Sequence, residues 1–145
     1  MSFPRPRTII AIVLGAFLAF RFGHLAYMNL RPADPLPLAF EDYEPARFEA
    51  ALASGEPVLV EIYAAWCPTC KAQHEAFTLL AAEGAVPKAR GFRVDYDTSP
   101  EFLARYRIGG TGLLLSFRNG RETARAGGLV DRQSLRRFLA AEGLL

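Results

Sequence analysis

The stretch that decides the fold runs from Val58 to Cys70 and reads VLVEIYAAWCPTC. Residues 58–63 are apolar or aromatic apart from one glutamate, which predicts a buried strand. The two cysteines of the chain, Cys67 and Cys70, follow directly. Pro68 suits the first turn of a helix, where its missing N–H costs nothing. The stretch therefore predicts a strand that leads into a helix beginning with a C-x-x-C motif.

This placement indicates a redox-active dithiol. The N-terminal end of a helix carries partial positive charge and free N–H groups, which favour a thiolate on the first cysteine, and the thiolate is the reactive form. A structural disulfide is an alternative, but so short a closure constrains little of the unfolded chain. Structural zinc needs about four ligands, and beyond the two sulfurs the chain offers only His24 and His74. The sequence therefore predicts no metal and no cofactor.

Charge is distributed unevenly along the 145 residues. Residues 1–31 contain four arginines and no acidic residue, whereas the rest of the chain contains 13 basic and 15 acidic residues. The net charge of that larger part is therefore −2, which argues against a nucleic-acid partner.

The basic N-terminal flank, residues 1–7, precedes an apolar run that begins at Thr8. A basic flank followed by an apolar run is typical of a secretory signal or a membrane anchor. The segment reaches the length of a bilayer span, about 20 residues, if it continues to Tyr27 or Leu30, and it then includes Arg21 and His24. No clean A-x-A cleavage site follows, so an uncleaved anchor over 8–30 is favoured over a cleaved signal. The flank predicts that the domain lies outside the cytoplasm.

Residues 31–40 contain three prolines and predict an extended tether. A domain over 41–145 follows, in which helical and strand patterns alternate. Early β-α-β crossovers imply parallel pairing, and Asn119-Gly120 predicts a hairpin that adds an antiparallel edge. The predicted elements are helix 45–54, strand 58–63, helix 68–83, strand 92–96, helix 100–106, strands 112–117 and 121–126, and a helix capped by Asp131.

From about residue 38 to the end, the chain resembles the thioredoxin family. Residues 58–67 are similar to the thioredoxin strand that enters the active site, and residues 113–120 to its later strand and hairpin. The tetrad Cys-Pro-Thr-Cys followed by Lys-Ala-Gln-His also resembles the membrane-tethered thioredoxins of cytochrome c maturation. The resemblance implies an α/β thioredoxin fold, a central mixed sheet flanked by helices, here preceded by one N-terminal hydrophobic helix.

The resemblance also implies roles for individual residues. Cys67 is expected to be the exposed nucleophile, with Cys70 buried behind it and Glu61 helping to remove the proton of Cys70. From its position alone, one turn after Cys70, His74 is predicted to be a surface residue of the helix, with stabilisation of the thiolate as the alternative. The substrate-docking residues are expected to be Trp66, Pro68, Thr69, Gly110, Thr111 and Gly112; for Trp66, a core aromatic role is the alternative.

Two positions depart from the family. Glu61 stands where thioredoxins usually carry aspartate, which keeps a carboxyl group but adds a methylene. Gly112 stands where the family has a cis-proline facing the dithiol. A non-proline cis bond costs about 2.5–4 kcal/mol, so a trans bond is expected between Thr111 and Gly112.

The sequence therefore predicts a membrane-tethered thiol–disulfide oxidoreductase, with the reductase direction favoured, that acts outside the cytoplasm or in the periplasm. Its expected partners are protein disulfide substrates, an electron donor in the membrane or periplasm, and the lipid bilayer through residues 8–30. Two alternatives remain open. One is a tethered binding or chaperone module with an incidental disulfide, and the other is a metal-binding dimer that uses four cysteines.

Overall fold

The computed structural model describes residues 6–30 and 40–145, which fall into two units divided near residue 33. The N-terminal unit contains the predicted helix, α1 (Pro6–Leu30). Its large apolar side chains between Ile9 and Phe22 are exposed. No helix in the described part of the chain combines the length and the hydropathy needed to cross a membrane. Residues 31–39 of the predicted tether lie outside the described residues, and Phe40 belongs to the first strand.

The second unit contains five strands and four helices within its described residues. The order agrees with the sequence prediction except for a three-residue strand at the start, which that prediction lacks. The elements are β1 (Phe40–Asp42), α2 (Pro45–Ser54), β2 (Val58–Tyr63), α3 (Pro68–Ala82), β3 (Arg90–Asp95), α4 (Pro100–Arg105), β4 (Leu113–Arg118), β5 (Arg121–Gly127) and α5 (Arg132–Ala141).

The strands form one mixed sheet in the order β1-β3-β2-β4-β5. The first three strands of that order are parallel, whereas β4 is antiparallel to both β2 and β5. The parallel pairing of β2 and β3 across α3 confirms the predicted crossover. Because β2 occupies the centre, all six of its side chains are buried. The carboxyl end of this central strand leads directly to the cysteines.

Two apolar clusters pack against opposite faces of the sheet. Val58, Val60 and Ile62 of β2 join the cluster that includes α2 and α4, while Leu59 joins the cluster that includes α3 and α5. This alternation is expected, because successive strand residues point to opposite faces. The face covered by α3 and α5 is therefore the face on which Glu61 lies.

Local signals in the sequence explain most element ends. Asn119 and Gly120 have φ angles of 51° and 72°, as a two-residue hairpin turn of type I′ requires. Asp131 accepts hydrogen bonds from the backbone N–H groups of Ser134 and Gln133, which lower the pKa of its carboxyl below the ordinary value. Ser99 precedes α4 but makes no capping hydrogen bond through its side chain.

Phe48 of α2 is the centre of an aromatic cluster and is fully buried. Its ring makes edge contacts with five other rings, those of Tyr43, Phe92, Phe102, Tyr106 and Phe117. These contacts join α2 and α4 to the sheet.

We expect Phe48→Ala to lower the free energy of unfolding by about 3–5 kcal/mol, because it removes buried apolar surface and leaves a cavity. Urea unfolding followed by circular dichroism measures this. The control is Leu79→Ala on α3, because Leu79 is exposed and should change the free energy by about 0.5 kcal/mol or less. Equal effects of the two substitutions would contradict the assignment of Phe48 to the core.

Candidate active site

Cys67 and Cys70 form a disulfide at the start of α3, with their Cα atoms 5.3 Å apart. Cys67 is the N-cap of the helix, and its Sγ accepts a hydrogen bond of 3.1 Å from the backbone N–H of Cys70. Pro68 occupies the first turn, as its sequence position predicts. The sulfur of Cys67 therefore lies where the helix end presents a free N–H group and partial positive charge.

Both cysteines are buried in the disulfide form. Cys70 is fully buried, and its Sγ lies 3.7 Å from the carbonyl oxygen of Ile62. Cys67 is only 2% exposed, so the prediction of an exposed nucleophile is wrong for this state. The physical reason is the approach of the loop before β4, which places Gly112 close to both Thr69 and the Cys67 sulfur.

Gly112 faces the dithiol. Its backbone N–H donates to the Ile62 carbonyl oxygen at 2.8 Å, and its φ angle is +69°. A Cβ atom built on Gly112 would lie 2.7 Å from Thr69 Cγ2 and 3.9 Å from Cys67 Sγ. There is no cis peptide bond among the described residues, so the bond between Thr111 and Gly112 is trans as expected. Proline fixes φ near −65°, so it is incompatible with this backbone.

The other residues expected to dock substrate are more dispersed. Pro68 is exposed, whereas Thr69, Gly110 and Thr111 are partly buried. A Cβ atom built on Gly110 would have no neighbour within 4 Å. The structure thus brings Thr69 and Gly112 together beside Cys67, while Gly110 borders open space.

Trp66 lies at the surface beside the disulfide and is 47% exposed, which argues against the core alternative. Its indole Nε1–H donates to Asp97 Oδ2 at 2.8 Å, and its ring makes an edge contact with Tyr96. A large exposed aromatic ring that is fixed in place is suited to contact a partner protein.

Glu61 is buried beneath the site and forms a pair with His74. Its side chain is 0% exposed, and its Oε1 lies 2.7 Å from His74 Nε2. His74 is 12% exposed, so the prediction of a surface residue is wrong. Its ring also stacks on Tyr63, with centroids 5.5 Å apart. The second oxygen of Glu61, Oε2, has no hydrogen-bond partner among the described residues.

Gln73 and Arg93 are two further buried polar residues on the face of the sheet that carries Glu61. Gln73 is fully buried on α3, and neither polar atom of its amide has a partner within the described part of the chain. Arg93 lies beside Glu61 in the register of β3 with β2 and forms an ion pair with Asp42. Its guanidinium lies 4.7 Å from the centroid of the Tyr63 ring.

The burial of His74 could have been predicted from the sequence. His74 follows Cys70 by four residues and precedes Phe77 by three, which places it on the inward face of the helix.

Within the described residues, no three His, Cys, Asp or Glu side chains are grouped so that they could hold a metal ion. The groups that the site offers for chemistry are two sulfurs, a buried carboxylate and an imidazole. A closed C-x-x-C ring at a helix start, above a mixed sheet with a buried acid, defines a dithiol–disulfide exchange domain.

The family model described as Thioredoxin matches residues 40–141. The chain belongs to the thioredoxin family and, with its Cys67–Cys70 pair, is a thiol–disulfide oxidoreductase.

Relatives and solved structures agree with this assignment. Thioredoxin of Chlamydia trachomatis serovar D is 34% identical over 93 residues, which is 64% of this chain and 88% of that protein. The thiol:disulfide interchange protein DsbE of Yersinia pestis is 36% identical over 55 residues, 38% of this chain but only 29% of that protein. The crystal structure of Trxlp from Edwardsiella tarda EIB202 is 41% identical, with a TM-score of 0.63 over 69% of this chain and 97% of that one.

We expect Gly112→Ala to destabilise the oxidised protein by about 1–3 kcal/mol, because a non-glycine residue is strained at this positive φ and its Cβ would collide with Thr69. Adding Thr69→Ala should recover part of the loss, because it removes the Cγ2 atom but not the backbone strain. Urea unfolding of the oxidised variants measures both effects.

The control is Gly109→Ala, because a Cβ atom there meets nothing within 4 Å and φ is not positive. It should change the free energy of unfolding by about 0.5 kcal/mol or less. If Gly112→Ala and Gly109→Ala have the same stability, the close approach of Gly112 to the dithiol is wrong.

Proposed function

We propose that this protein reduces disulfides in protein substrates outside the cytoplasm while it is attached to a membrane through its N-terminal helix. The observation that supports the chemistry best is the hydrogen bond from the Cys70 backbone N–H to Cys67 Sγ at 3.1 Å. In the reduced protein, the same donor and the positive end of α3 stabilise a thiolate on Cys67.

The reaction proceeds in two exchanges. The Cys67 thiolate attacks one sulfur of a substrate disulfide, forms a mixed disulfide and releases the other substrate sulfur as a thiolate. Cys70 then loses its proton and attacks Cys67 Sγ, which releases the second substrate sulfur and closes the Cys67–Cys70 disulfide. The substrate gains two electrons and the enzyme loses two.

Glu61 is proposed as the acceptor of the Cys70 proton, as the family resemblance implies. It is buried one residue before Ile62, whose carbonyl oxygen lies 3.7 Å from Cys70 Sγ. Its Oε2 is the oxygen that His74 does not hold. A base that is buried near the thiol transfers a proton directly or through one water molecule.

Docking requires the loop that carries Gly112 to move, because Cys67 is almost fully covered in the oxidised protein. The loop also contains Gly109 and Gly110, and glycine permits more backbone conformations than other residues. We expect this site to accept a broader range of substrates than a relative whose loop is fixed by proline. Trp66, Pro68 and Thr111 form the proposed rim of the docking surface.

Regeneration of the dithiol requires an electron donor. Cys67 and Cys70 are the two cysteines of the sequence, and both are consumed in one turnover. The donor is therefore a dithiol on another protein, proposed to lie in the membrane or in the periplasm.

Insulin reduction in the presence of dithiothreitol tests the exchange chemistry. We expect Cys67→Ser to lower the rate to that of dithiothreitol alone. We expect reduced Cys70→Ser, mixed with insulin after removal of dithiothreitol, to accumulate mixed disulfides, because it forms them but cannot resolve them. The control is Glu75→Gln on the exposed side of α3, which should retain the wild-type rate. Activity in Cys67→Ser would contradict the mechanism, and a wild-type protein without activity would favour a binding module.

Membrane attachment is supported by the arginines at positions 5 and 7 and by the exposed apolar side chains of α1. Apolar side chains along one helix favour transfer to a lipid phase or interface. The basic flank favours a cytoplasmic N-terminus and a domain in the periplasm or another extracytoplasmic space.

We expect the full-length protein to remain with membranes after an alkaline carbonate wash, and external protease to reach the domain in spheroplasts. Leu14→Arg should release more protein to the soluble fraction, because it places a charge in the apolar run. Leu79→Arg, an exposed position on α3, is the matched control and should leave the distribution unchanged. A soluble product whose N-terminus lies within or after residues 8–30 would instead indicate a cleaved signal.

A further inference from the structure

The Glu61–His74 pair poses a physical problem that the two-cysteine mechanism leaves unsolved. Glu61 is 0% exposed, so a proton that it accepts from Cys70 has no direct route to water. Its Oε2 has no hydrogen-bond partner among the described residues, so a proton placed on that oxygen is not passed on from there. A carboxylate that stayed protonated could not serve as the base in the next turnover.

His74 is placed to solve this problem. Its Nε2 lies 2.7 Å from Glu61 Oε1, and its side chain is 12% exposed, so it contacts both the carboxylate and solvent. Imidazole can accept a proton on one ring nitrogen and release one from the other. The pair thus connects a buried base to the surface through one side chain.

The elements around His74 hold its ring in place. Cys70 and His74 lie four residues apart on α3 and therefore share one helix face. The His74 ring stacks on Tyr63 with an interplanar angle of 12°. Both constraints restrict the ring to the position in which Nε2 meets Glu61.

We infer that His74 is the proton carrier between Glu61 and solvent during closure of the Cys67–Cys70 disulfide. This inference rests on the proposed function. The Cys70 thiol gives its proton to Glu61 Oε2 as its sulfur attacks Cys67 Sγ. The carboxyl group of Glu61 then turns so that this proton faces His74 Nε2, which accepts it in the tautomer whose own proton is on Nδ1, and His74 releases the Nδ1 proton to solvent or to the departing substrate thiolate. The carboxylate and the neutral imidazole are restored, and no oxidant other than the substrate disulfide is required.

The charged and titratable groups on the same face of the sheet are few among the described residues. Tyr63 lies on β2, Arg93 and Asp95 on β3, and Asp42 on β1, while β4 contributes the apolar Leu114 opposite Glu61. Arg93 is ion-paired with Asp42, and Asp95 Oδ1 accepts from the backbone N–H groups of Asp97 and Thr98.

Stopped-flow reaction of the reduced protein with 5,5′-dithiobis(2-nitrobenzoate) separates the two exchanges. Attack by Cys67 releases one coloured thiolate in a first phase, and resolution by Cys70 releases the other in a second phase. Cys70→Ser should show the first phase alone, which assigns the two phases. The rates are followed from mildly acidic to mildly alkaline pH.

We expect His74→Gln to slow the second phase at neutral pH by about 10-fold or more, because general acid–base groups contribute about 10²–10⁴-fold and glutamine can donate a hydrogen bond but cannot carry a proton. The first phase should change by less than about 2-fold. The second phase should regain speed as pH rises, since hydroxide replaces the carrier. His74→Phe, which keeps a ring beside Tyr63, should behave similarly, and added imidazole should accelerate His74→Ala.

Two results would overturn the inference: a second phase of wild-type rate and pH profile in His74→Gln, or slowing in His74→Ala that imidazole leaves unchanged. Glu75→Gln on the same helix should match the wild type in both phases. Failure of the proposed function is a different result, because the wild-type protein would then reduce no insulin, whatever the rates of the two phases.

Discussion

The central strand β2 has neighbours at both edges and helices on both faces, so all six of its side chains are buried. Five of them contribute apolar surface, and the sixth, Glu61, brings a carboxyl group into the interior. Burial of a carboxyl group costs free energy unless the group has a hydrogen-bonding or charged partner. The pairing with His74 supplies that partner and fixes one face of α3 against β2. Cys67 is the N-cap of the same helix and Cys70 lies in its first turn, so the constraint on Glu61 also positions the cysteines.

Local signals predict most of the domain because they do not depend on distant residues. The C-x-x-C motif with Pro68, the Asn119-Gly120 turn and the cap at Asp131 each act within a few residues. The strand β1 lacks such a signal, because its three residues are too short for a periodic pattern and depend on pairing with β3. The boundaries of β3 and α3 differ from the prediction by one or two residues, because strand pairing sets the ends of a strand and the last turn of a helix frays.

The site was harder to predict, because its properties arise from contacts between distant parts of the chain. The burial of Cys67 depends on Gly112, which lies on a loop more than forty residues further along the sequence. The partner of Glu61, His74, is on a different element. The position of His74 on the inward face of α3 predicts this pairing only once β2 is known to lie under that face. The absence of the family proline, by contrast, could be seen in the sequence. The trans peptide bond between Thr111 and Gly112 confirms the backbone conformation that this absence predicts.

Trp66 is the one tryptophan of the sequence, and it immediately precedes the disulfide. Its indole is 47% exposed and is hydrogen-bonded to Asp97. The tryptophan fluorescence of the protein, excited apart from that of its five tyrosines, therefore originates beside the reacting sulfurs rather than from the core. Its emission wavelength and intensity consequently serve as a local optical probe of the site, one that needs no attached label.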